Sequence, residues 1–246
     1  MIEKKNILIT GSSKGIGSFI AKKLHEDKNN QIFINGRNKK DLINLKKKLI
    51  NCEIVQGDIN KTIVLKKINK KIKKLNVLIC NIGSGKSVIT GKETKQDWEK
   101  SLNQNFYSSI NAIKTFEKKL IKSKGIIICI SSICGMEFIK GAPITYSVSK
   151  AALNAFVRFY SKYLGPKGVR LNAIAPGNIL FKGSSWEKKI NQNKKKVFRQ
   201  INQEVSLKKF GSAEDVSNLV NYLIKEETQF INGSIIVADG GQIRGI

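Results

Sequence analysis

Short apolar runs alternate along the chain with longer stretches in which apolar residues recur every three or four positions. The runs are typical of strands buried on both faces of a sheet, and the stretches are typical of helices that dock one face. The pattern predicts seven strands: Asn6–Thr10, Gln31–Asn35, Cys52–Gln56, Val77–Cys80, Gly125–Ser131, Arg170–Ala175 and Ser234–Ala238. It predicts six helices: Gly15–Asp27, Lys39–Ile50, Lys61–Lys74, Trp98–Lys122, Thr145–Leu164 and Ala213–Glu226. Because strands and helices alternate, we predict an α/β fold with a doubly wound parallel sheet flanked by helices on both faces.

Residues 178–209 interrupt this alternation. The segment follows Pro176-Gly177 and carries nine Lys and Arg against two Glu. A polar insertion of this kind in a compact domain is typically a lid or a binding loop. Since no internal repeat or linker divides the rest of the chain, we predict a single domain over residues 1–246 with a substrate lid at about 178–209.

The composition is typical of a globular cytoplasmic protein. The 246 residues are 41% hydrophobic and 26% charged, enough to bury a core without disulfides. The longest apolar run, Ile126–Ile130, is too short to span a membrane, and Met1 leads straight into a predicted strand. We therefore expect no membrane segment and no signal peptide. The four cysteines lack metal-binding spacing, and the single histidine, His25, argues against a His-based metal site or a Ser-His-Asp triad.

The charge is strongly positive, with 45 Lys and Arg against 18 Asp and Glu and a formal net charge of +27. One interpretation is nucleic-acid binding, and the other is a lysine-rich surface without a specific partner. Residues 59–74 contain seven lysines and no acid, while Leu65, Ile68 and Ile72 keep helical spacing on the opposite face. Lysines recur in this way on most predicted helices, and no basic motif is interleaved with aromatic residues. We therefore predict no specific nucleic-acid partner, with weak nonspecific binding at low salt.

A glycine-rich turn joins the first predicted strand to the first predicted helix. It reads Thr10-Gly11-Ser12-Ser13-Lys14-Gly15-Ile16-Gly17. Glycines permit a tight turn and close approach of the backbone to a phosphate, and the helix N-terminus then offers free N–H groups to a pyrophosphate. We predict nucleotide binding through this turn, with Gly11, Ser13, Lys14, Gly15, Ile16 and Gly17 as contacts.

Tyr146 and Lys150 lie four residues apart on one face of a predicted helix. A phenol with a pKa of ~10 becomes an acid–base catalyst near neutral pH when a nearby ammonium stabilises its anion. Ser132 stands at the end of the preceding strand, the edge at which open α/β sheets bind ligands. Tyr163 and Lys167 have the same spacing, but Gly165-Pro166 between them breaks the helical register.

A second glycine-containing segment, Gly83-Ser84-Gly85-Lys86-Ser87, is similar to the phosphate loop of nucleoside triphosphatases. That loop requires a glycine where Cys80 stands, and a helix after the Lys-Ser pair, which Gly91 interrupts. We predict that the segment instead borders the cofactor and the substrate entrance.

Taken in order, these motifs resemble the short-chain dehydrogenase/reductase family over nearly the whole chain. The residues that carry the resemblance are the glycine turn, Asn81-Ile82-Gly83, Asn105, Ser132, Tyr146, Lys150, Pro176-Gly177, Phe230-Ile231-Asn232-Gly233 and Asp239-Gly240-Gly241. The resemblance implies a Rossmann-type fold and a homo-oligomer, often a tetramer, that pairs the Trp98–Lys122 and Thr145–Leu164 helices across a two-fold axis. It also implies that Asp58, Ile59, Asn81, Gly83, Tyr146, Lys150, Pro176, Gly177 and Ile179 contact a dinucleotide cofactor.

The resemblance implies a role for each residue of the catalytic set. Tyr146 is the general acid in carbonyl reduction or the base in alcohol oxidation, and Lys150 lowers its pKa and binds the nicotinamide ribose. Ser132 binds the substrate oxygen. Asn105 supports a proton relay, and the alternative for this residue is a buried amide that bonds only to backbone. Asn103, two residues earlier, is the alternative candidate for the catalytic Asn.

The chain departs from the family pattern at three positions. Cys80 and Ile82 replace the Asn and Ala of an Asn-Asn-Ala-Gly segment. Phe181 stands where the family usually has a Thr that binds the nicotinamide carboxamide, and Ser184 or Ser185 is a candidate substitute.

Cofactor preference follows from charge at the end of the second predicted strand, which reads Asn35-Gly36-Arg37. A carboxylate there would bind a ribose 2′-hydroxyl and repel a 2′-phosphate, but the segment has none. Arg37 and Lys14 therefore favour NADPH over NADH, unless both belong only to the lysine-rich surface.

We expect NADPH-dependent reduction of a ketone to a secondary alcohol on a small-molecule or carrier-bound substrate. A 3-oxoacyl group on acyl carrier protein is the leading substrate, with the basic lid attracting the acidic carrier. A sugar, polyol or other secondary alcohol is the alternative. A noncatalytic nucleotide-sensing protein is the alternative from a different class.

Overall fold

The computed structural model describes residues 4–244, in which seven strands form one parallel sheet. The strands are β1 (Asn6–Ile9), β2 (Gln31–Gly36), β3 (Cys52–Gln56), β4 (Val77–Cys80), β5 (Ile126–Ile130), β6 (Arg170–Pro176) and β9 (Ile235–Ala238). Their order across the sheet is β3-β2-β1-β4-β5-β6-β9, and every neighbouring pair is parallel. The predicted parallel sheet and Rossmann-type fold are confirmed.

Eight α-helices are described, and most of them cover the two faces of the sheet. They are α1 (Gly15–Leu24), α2 (Lys39–Lys46), α3 (Thr62–Lys71), α4 (Lys95–Leu102), α5 (Ser108–Lys122), α6 (Ile144–Leu164), α7 (Ser185–Glu204) and α8 (Ala213–Leu223). Alternate residues of each central strand point to opposite faces. Leu8 therefore packs in one apolar cluster with residues of α3, α5 and α6. Ile7 and Ile9 pack in a second cluster with residues of α1, α2 and α8.

The helix between β4 and β5 differs from the prediction in two respects. It begins at Lys95 rather than at Trp98, because Thr94 and Asp97 form a capping box that satisfies the first backbone N–H groups. It is also interrupted by a π-helix over Asn103–Tyr107, which joins α4 to α5. A π-turn inside a helix often marks a functional site.

The segment predicted as a polar lid contains the long helix α7, which the sequence pattern does not predict. Asn193 breaks the helical backbone near its middle, and only Val197 and Ile201 of the helix are buried. With so few buried positions on either side of the break, the lysine-rich sequence gives no clear helical period. Two short strands, β7 (Ile179–Leu180) and β8 (Gly211–Ser212), pair in parallel and hold the base of the segment together.

Within residues 4–244, no helix is long and apolar enough to cross a membrane. The same residues contain no group of three or more His, Cys, Asp or Glu side chains suited to a metal ion. All four cysteines are free thiols.

Candidate active site

The glycine turn between β1 and α1 has a backbone that requires glycine at more than one position. Gly11 and Gly15 have φ values of +62° and +60°, in the left-handed region that other residues rarely adopt. A Cβ added at Gly17 would lie 2.5 Å from Nδ2 of Asn81 and 2.8 Å from the carbonyl oxygen of Gly11. The turn is thus a tight cradle at the N-terminus of α1, as a pyrophosphate site requires.

Three polar side chains hold this cradle: one from the turn itself, one from β2 and one directly after β4. Asn81, which follows β4, donates from Nδ2 to the carbonyl oxygens of Thr10 and Gly11 at 3.1 and 3.0 Å. Asn35, in β2, donates from Nδ2 to Val55 O at 2.8 Å and accepts from Gly11 N at 3.4 Å. The Ser12 hydroxyl accepts from the backbone N–H of Asn35 at 2.9 Å. Sequence analysis did not identify Ser12 and Asn35, although an Asn inside an apolar strand is a signal that could have found Asn35.

The other predicted nucleotide contacts lie in the glycine turn or directly after the second and third strands. Gly36 lies against Ser13, since a Cβ on Gly36 would be 3.0 Å from the Ser13 side chain. Lys14 and Arg37 are both exposed. Asp58 is half-buried and accepts from Asn60 N at 3.0 Å. The side chain of Ile59 is fully buried in the core.

Ser132, Tyr146 and Lys150 meet where β5 ends and α6 begins. Ser132 is buried and starts a short 3-10 turn, in which its hydroxyl accepts from Cys134 N at 3.2 Å. Lys150 is 2% exposed, donates from Nζ to Ile130 O at 2.8 Å, and lies 5.8 Å from the ring centroid of half-buried Tyr146. The predicted triad is therefore assembled at the carboxyl edge of the sheet.

Asn105 lies beside this group, inside the π-helix, and is 1% exposed. Its side chain bonds the backbone of Ser84 in both directions, accepting from Ser84 N at 2.8 Å and donating to Ser84 O at 3.2 Å. A Cβ added at Gly83 would lie 3.1 Å from both Asn105 Oδ1 and Lys150 Nζ, so the two groups flank one point. The competitor Asn103 is exposed.

Burial sets the protonation of the two titratable groups. It raises the pKa of Tyr146 to about 12, and the nearby Ser132 hydroxyl opposes this rise. It lowers the pKa of Lys150 to about 8. The resemblance implies that Lys150 lowers the pKa of Tyr146, but burial is the largest influence on this phenol in the structure. At neutral pH Tyr146 therefore carries its proton and can donate it.

The segment Gly83–Ser87 is not a triphosphatase loop, because no helix follows it directly and the next helix begins only at Lys95. Ser87 and Thr145 share a hydroxyl hydrogen bond of 2.6 Å. A Cβ at Gly85 would lie 4.0 Å from Cε1 of Tyr146. The loop therefore borders the catalytic tyrosine candidate.

The last part of the site follows β6. Gly177 approaches β9 so closely that a Cβ would lie 2.7 Å from Cβ of Asp239. Two ring carbons of Phe181 lie 3.2 and 3.3 Å from the place where a Cβ on Gly15 would be, so this ring covers one side of the glycine turn. The Ser184 hydroxyl caps α7 by accepting from Glu187 N at 3.1 Å. Ser185 is exposed.

The described residues fit a dinucleotide of the nicotinamide type. The glycine cradle would close if Gly17 carried a Cβ, and exposed cations stand at the end of β2. Beside Pro176 and Gly177, the buried amide nitrogen Nδ2 of Asn178 lacks a hydrogen-bond partner among the described residues. The cradle and the cations lie at the carboxyl ends of β1 and β2, where sheets of this type bind a dinucleotide.

Comparison with known families gives a match over most of the chain. A family model described as enoyl-(acyl carrier protein) reductase, one of the short-chain dehydrogenase models, matches residues 11–242. The chain belongs to the short-chain dehydrogenase/reductase family. It is accordingly an NAD(P)-dependent oxidoreductase acting on CH–OH or C=O groups.

Several members of the family are similar to this chain. A 3-oxoacyl-[acyl-carrier-protein] reductase FabG from Rickettsia felis is 31% identical over 248 residues, covering 97% of each chain. The isoepoxydon dehydrogenase patN from Penicillium expansum is 32% identical over 173 residues, covering 70% of this chain and 65% of its own. The crystal structure of YwfH, an NADPH-dependent reductase involved in bacilysin biosynthesis, superposes with a TM-score of 0.90 at 29% identity, covering 99% of this chain and 100% of its own.

Proposed function

We propose that this chain is an NADPH-dependent reductase that converts a ketone to a secondary alcohol. The observation that carries the proposal is the assembly of Ser132, Tyr146, Lys150 and Asn105 at the sheet edge that also holds the glycine turn. These groups supply a proton donor, a hydrogen-bond donor and a buried cation around one point. A noncatalytic nucleotide sensor would have no need for this set.

Tyr146 protonates the substrate oxygen, because burial keeps its phenol protonated at neutral pH. Ser132 donates a hydrogen bond to the same oxygen, and stabilises the negative charge that develops there. Lys150 holds a buried positive charge beside Tyr146, which stabilises the phenolate left after proton transfer. Asn105 fixes the Ser84 backbone and lies near the Lys150 ammonium, so it positions the loop beside the reacting groups. The nicotinamide cofactor, when bound, supplies the hydride.

NADPH rather than NADH fits the charge at the adenosine end. Lys14, in the turn that joins β1 to α1, and Arg37, directly after β2, are exposed cations. The residues that end β2, Asn35 and Gly36, provide no carboxylate to repel a 2′-phosphate. YwfH, which is 29% identical, is itself described as NADPH-dependent.

The substrate that we propose is a 3-oxoacyl group carried on acyl carrier protein. Several FabG reductases are about 30% identical to this chain over nearly its full length. The lid segment supports an acidic carrier, because six cations lie on α7 and all six are exposed. They are Lys188, Lys189, Lys194, Lys195, Lys196 and Arg199. The resemblance to isoepoxydon dehydrogenase keeps a small secondary alcohol as the second candidate.

The test is NADPH consumption, with NADH as the control cofactor, on a 3-oxoacyl thioester carried by acyl carrier protein and by a small thiol. We expect NADPH-specific turnover that favours the protein-bound thioester. Tight NADPH binding without turnover of either thioester would reject the acyl substrate, and small ketones would then be assayed.

A further inference from the structure

The turn that follows β9 contains the motif Asp239-Gly240-Gly241, to which the proposed mechanism assigns no role. We call residues 239–244 the β9 turn. Oδ1 of Asp239 accepts from Gly241 N at 2.9 Å, and Oδ2 accepts from the backbone N–H groups of the next two residues at 3.0 and 2.8 Å. Because one carboxylate fixes three backbone groups, the β9 turn is a rigid unit.

On one side the β9 turn is hydrogen-bonded to the end of the lid segment, directly after α7. The Ser206 hydroxyl donates to Gly241 O at 2.8 Å, and Leu207 N donates to Gly240 O at 3.0 Å. Both glycines have left-handed backbones, with φ values of +69° and +77°. A Cβ on Gly240 would lie 2.9 Å from Cγ1 of Val205, and a Cβ on Gly241 would lie 2.8 Å from the Ser206 hydroxyl oxygen. The two glycines therefore permit an approach of the lid that side chains would prevent.

On its other side the β9 turn is hydrogen-bonded to the loop that joins Ser132 to α6. Oε2 of Glu137 accepts from Arg244 N at 2.9 Å, although the two residues are 107 positions apart. Within the part of the chain that the structure describes, residues 136–142 form no other hydrogen bond to a distant element. The carboxylate of Glu137 therefore tethers the middle of this loop to the β9 turn.

Both segments lie at the proposed substrate site. The loop leads from Ser132 directly to α6 and Tyr146, and the lid segment begins after β6 at the same edge of the sheet. The start of the loop has its own supports, since Ser132 caps a 3-10 turn and Gly135 packs tightly against α6. A Cβ on Gly135 would lie 2.5 Å from the carbonyl carbon of Lys150. Loss of the Glu137 bond should therefore free the middle of the loop and leave the catalytic groups in place.

We propose that Glu137 and the β9 turn form a clasp that couples the lid segment to the loop after Ser132, and thereby raises the affinity for the ketone substrate. Glu137 is a positioning residue, because its carboxylate bonds the backbone of the β9 turn. With the clasp closed, the loop and the lid share one rigid support. The substrate then binds between two walls that are already ordered, so less conformational entropy is lost on binding. The effect on substrate affinity rests on the proposed reductase function, whereas the coupling of the two segments does not.

The first experiment measures amide hydrogen exchange by mass spectrometry, without substrate or cofactor. Glu137→Ala removes the acceptor for Arg244 N, and we expect exchange to become about tenfold faster in residues 136–142 and also in residues 205–208. Glu137→Gln keeps an acceptor oxygen and should restore native exchange in both segments. Faster exchange in the loop alone would overturn the coupling.

Asp27→Ala is the matched control for this experiment. The Asp27 carboxylate also accepts from one backbone N–H, that of Asn29 at 3.0 Å, but it lies in an exposed turn after α1. We expect this variant to leave exchange in the loop and in the lid unchanged.

The second experiment measures steady-state reduction of the acetoacetyl thioester of N-acetylcysteamine by NADPH. Glu137→Ala should raise KM for the thioester about fivefold, with kcat and the NADPH affinity within about twofold of the native values, and Glu137→Gln should restore KM. Ser206→Ala opens the clasp at the lid and should raise KM by a similar factor. Because either change opens the same clasp, the double variant should stay near fivefold rather than reach the roughly 25-fold expected for independent bonds.

Other outcomes overturn the proposal. If the Glu137 bond has only a local structural role, Glu137→Ala will lower thermal stability while KM and exchange in the lid stay native. Multiplicative effects on KM in the double variant would show two independent bonds. If Glu137→Ala does not fold, Ser206→Ala decides, since unchanged exchange in residues 136–142 rejects the clasp. Coupled exchange without turnover of the thioester by the native chain would instead reject the proposed acyl substrate and leave the clasp standing.

Discussion

The same pair of residues occurs at both ends of helix α6: Tyr146 and Lys150 lie near its start, and Tyr163 lies at its end, with Lys167 in the 3-10 turn that follows. At the start, Lys150 is 2% exposed and donates to a carbonyl oxygen of β5. At the end, Tyr163 is 47% exposed, and Nζ of Lys167 lies 3.1 Å from its ring centroid. The two residues of each pair are four positions apart, but the first pair lies in buried surroundings and the second is exposed.

The direction of the helix explains the difference. A helix that follows a strand of a parallel sheet starts at the carboxyl edge and ends at the amino edge. Tyr146 and Lys150 therefore lie among strand ends, the glycine turn and Ser132. Tyr163 and Lys167 lie at the far edge, where their neighbour is Glu117 of α5, which accepts from the Tyr163 hydroxyl at 3.3 Å. The comparison shows that chemistry here depends on burial and neighbours rather than on the motif.

The largest effect on kcat is expected when the Tyr146 hydroxyl is removed, and removal of the Tyr163 hydroxyl provides the comparison. Tyr146→Phe should lower kcat by about 10³-fold, because it removes the proton donor. NADPH affinity, measured by cofactor fluorescence, should stay within about twofold of the native value. Tyr163→Phe is the matched control and should leave kcat unchanged. Equal losses in the two variants would mean that the first pair has no special role.

Removing the two ammonium groups should give the next largest effect. Lys150→Met should lower kcat by about 10²-fold because the buried cation beside Tyr146 is lost, while Lys167→Met should leave kcat unchanged. In the native chain, kcat should fall as pH rises through about 8, where Lys150 loses its proton. Steady-state profiles of kcat against pH, for the native chain and both variants, check this prediction. A native profile that stays flat to pH 9 would contradict it.

The same pKa shift predicts how stability depends on pH. The pKa of Lys150 is about 8 in the folded chain against an ordinary value of 10.5, so the unfolded chain binds more protons between these values. The free energy of unfolding contributed by Lys150 should therefore rise with pH over this window. In urea titrations at pH 8 and 10, the native chain and Lys167→Met should gain more stability with pH than Lys150→Met.

Two glycines next to the two pairs sharpen the comparison further. A Cβ on Gly135 would lie 2.5 Å from the carbonyl carbon of Lys150, which is backbone and cannot move aside. A Cβ on Gly165 would lie 3.3 Å from Nδ2 of Asn232, the end of a side chain. Gly135→Ala should destabilise the fold by about 2–3 kcal/mol and Gly165→Ala by less than about 1 kcal/mol, measured by urea denaturation. Similar losses at both sites would show that helix packing is equally tight at its two ends.

The fold could be predicted from sequence because its central strands are apolar on both faces and its helices are apolar on one. The catalytic set could be predicted because a spacing of four places Tyr146 and Lys150 on one helix face, and Ser132 ends a strand at the edge where such sheets bind ligands. Helix α7 could not be predicted, because Asn193 breaks its helical backbone and only Val197 and Ile201 of the helix are buried. Asn35 was missed because its importance lies in the backbone that it bonds, and that appears only once β2 and β3 are placed side by side in the sheet.

The smallest effect, a small loss of stability, is expected from replacing Glu117, which accepts a hydrogen bond from the exposed Tyr163. Burial raises the pKa of this carboxyl, but hydrogen bonds from Tyr160, Lys114 and Tyr163 together outweigh burial and hold the pKa below its ordinary value. A lowered folded-state pKa stabilises the fold above the ordinary pKa, and this contribution is lost as pH falls through the acidic range. Glu117→Gln should therefore cost less than about 1 kcal/mol at pH 7 and nothing at pH 3, with kcat unchanged. A loss of kcat in this variant would link the amino edge of the sheet to the chemistry, and would contradict the separation of the two pairs along α6.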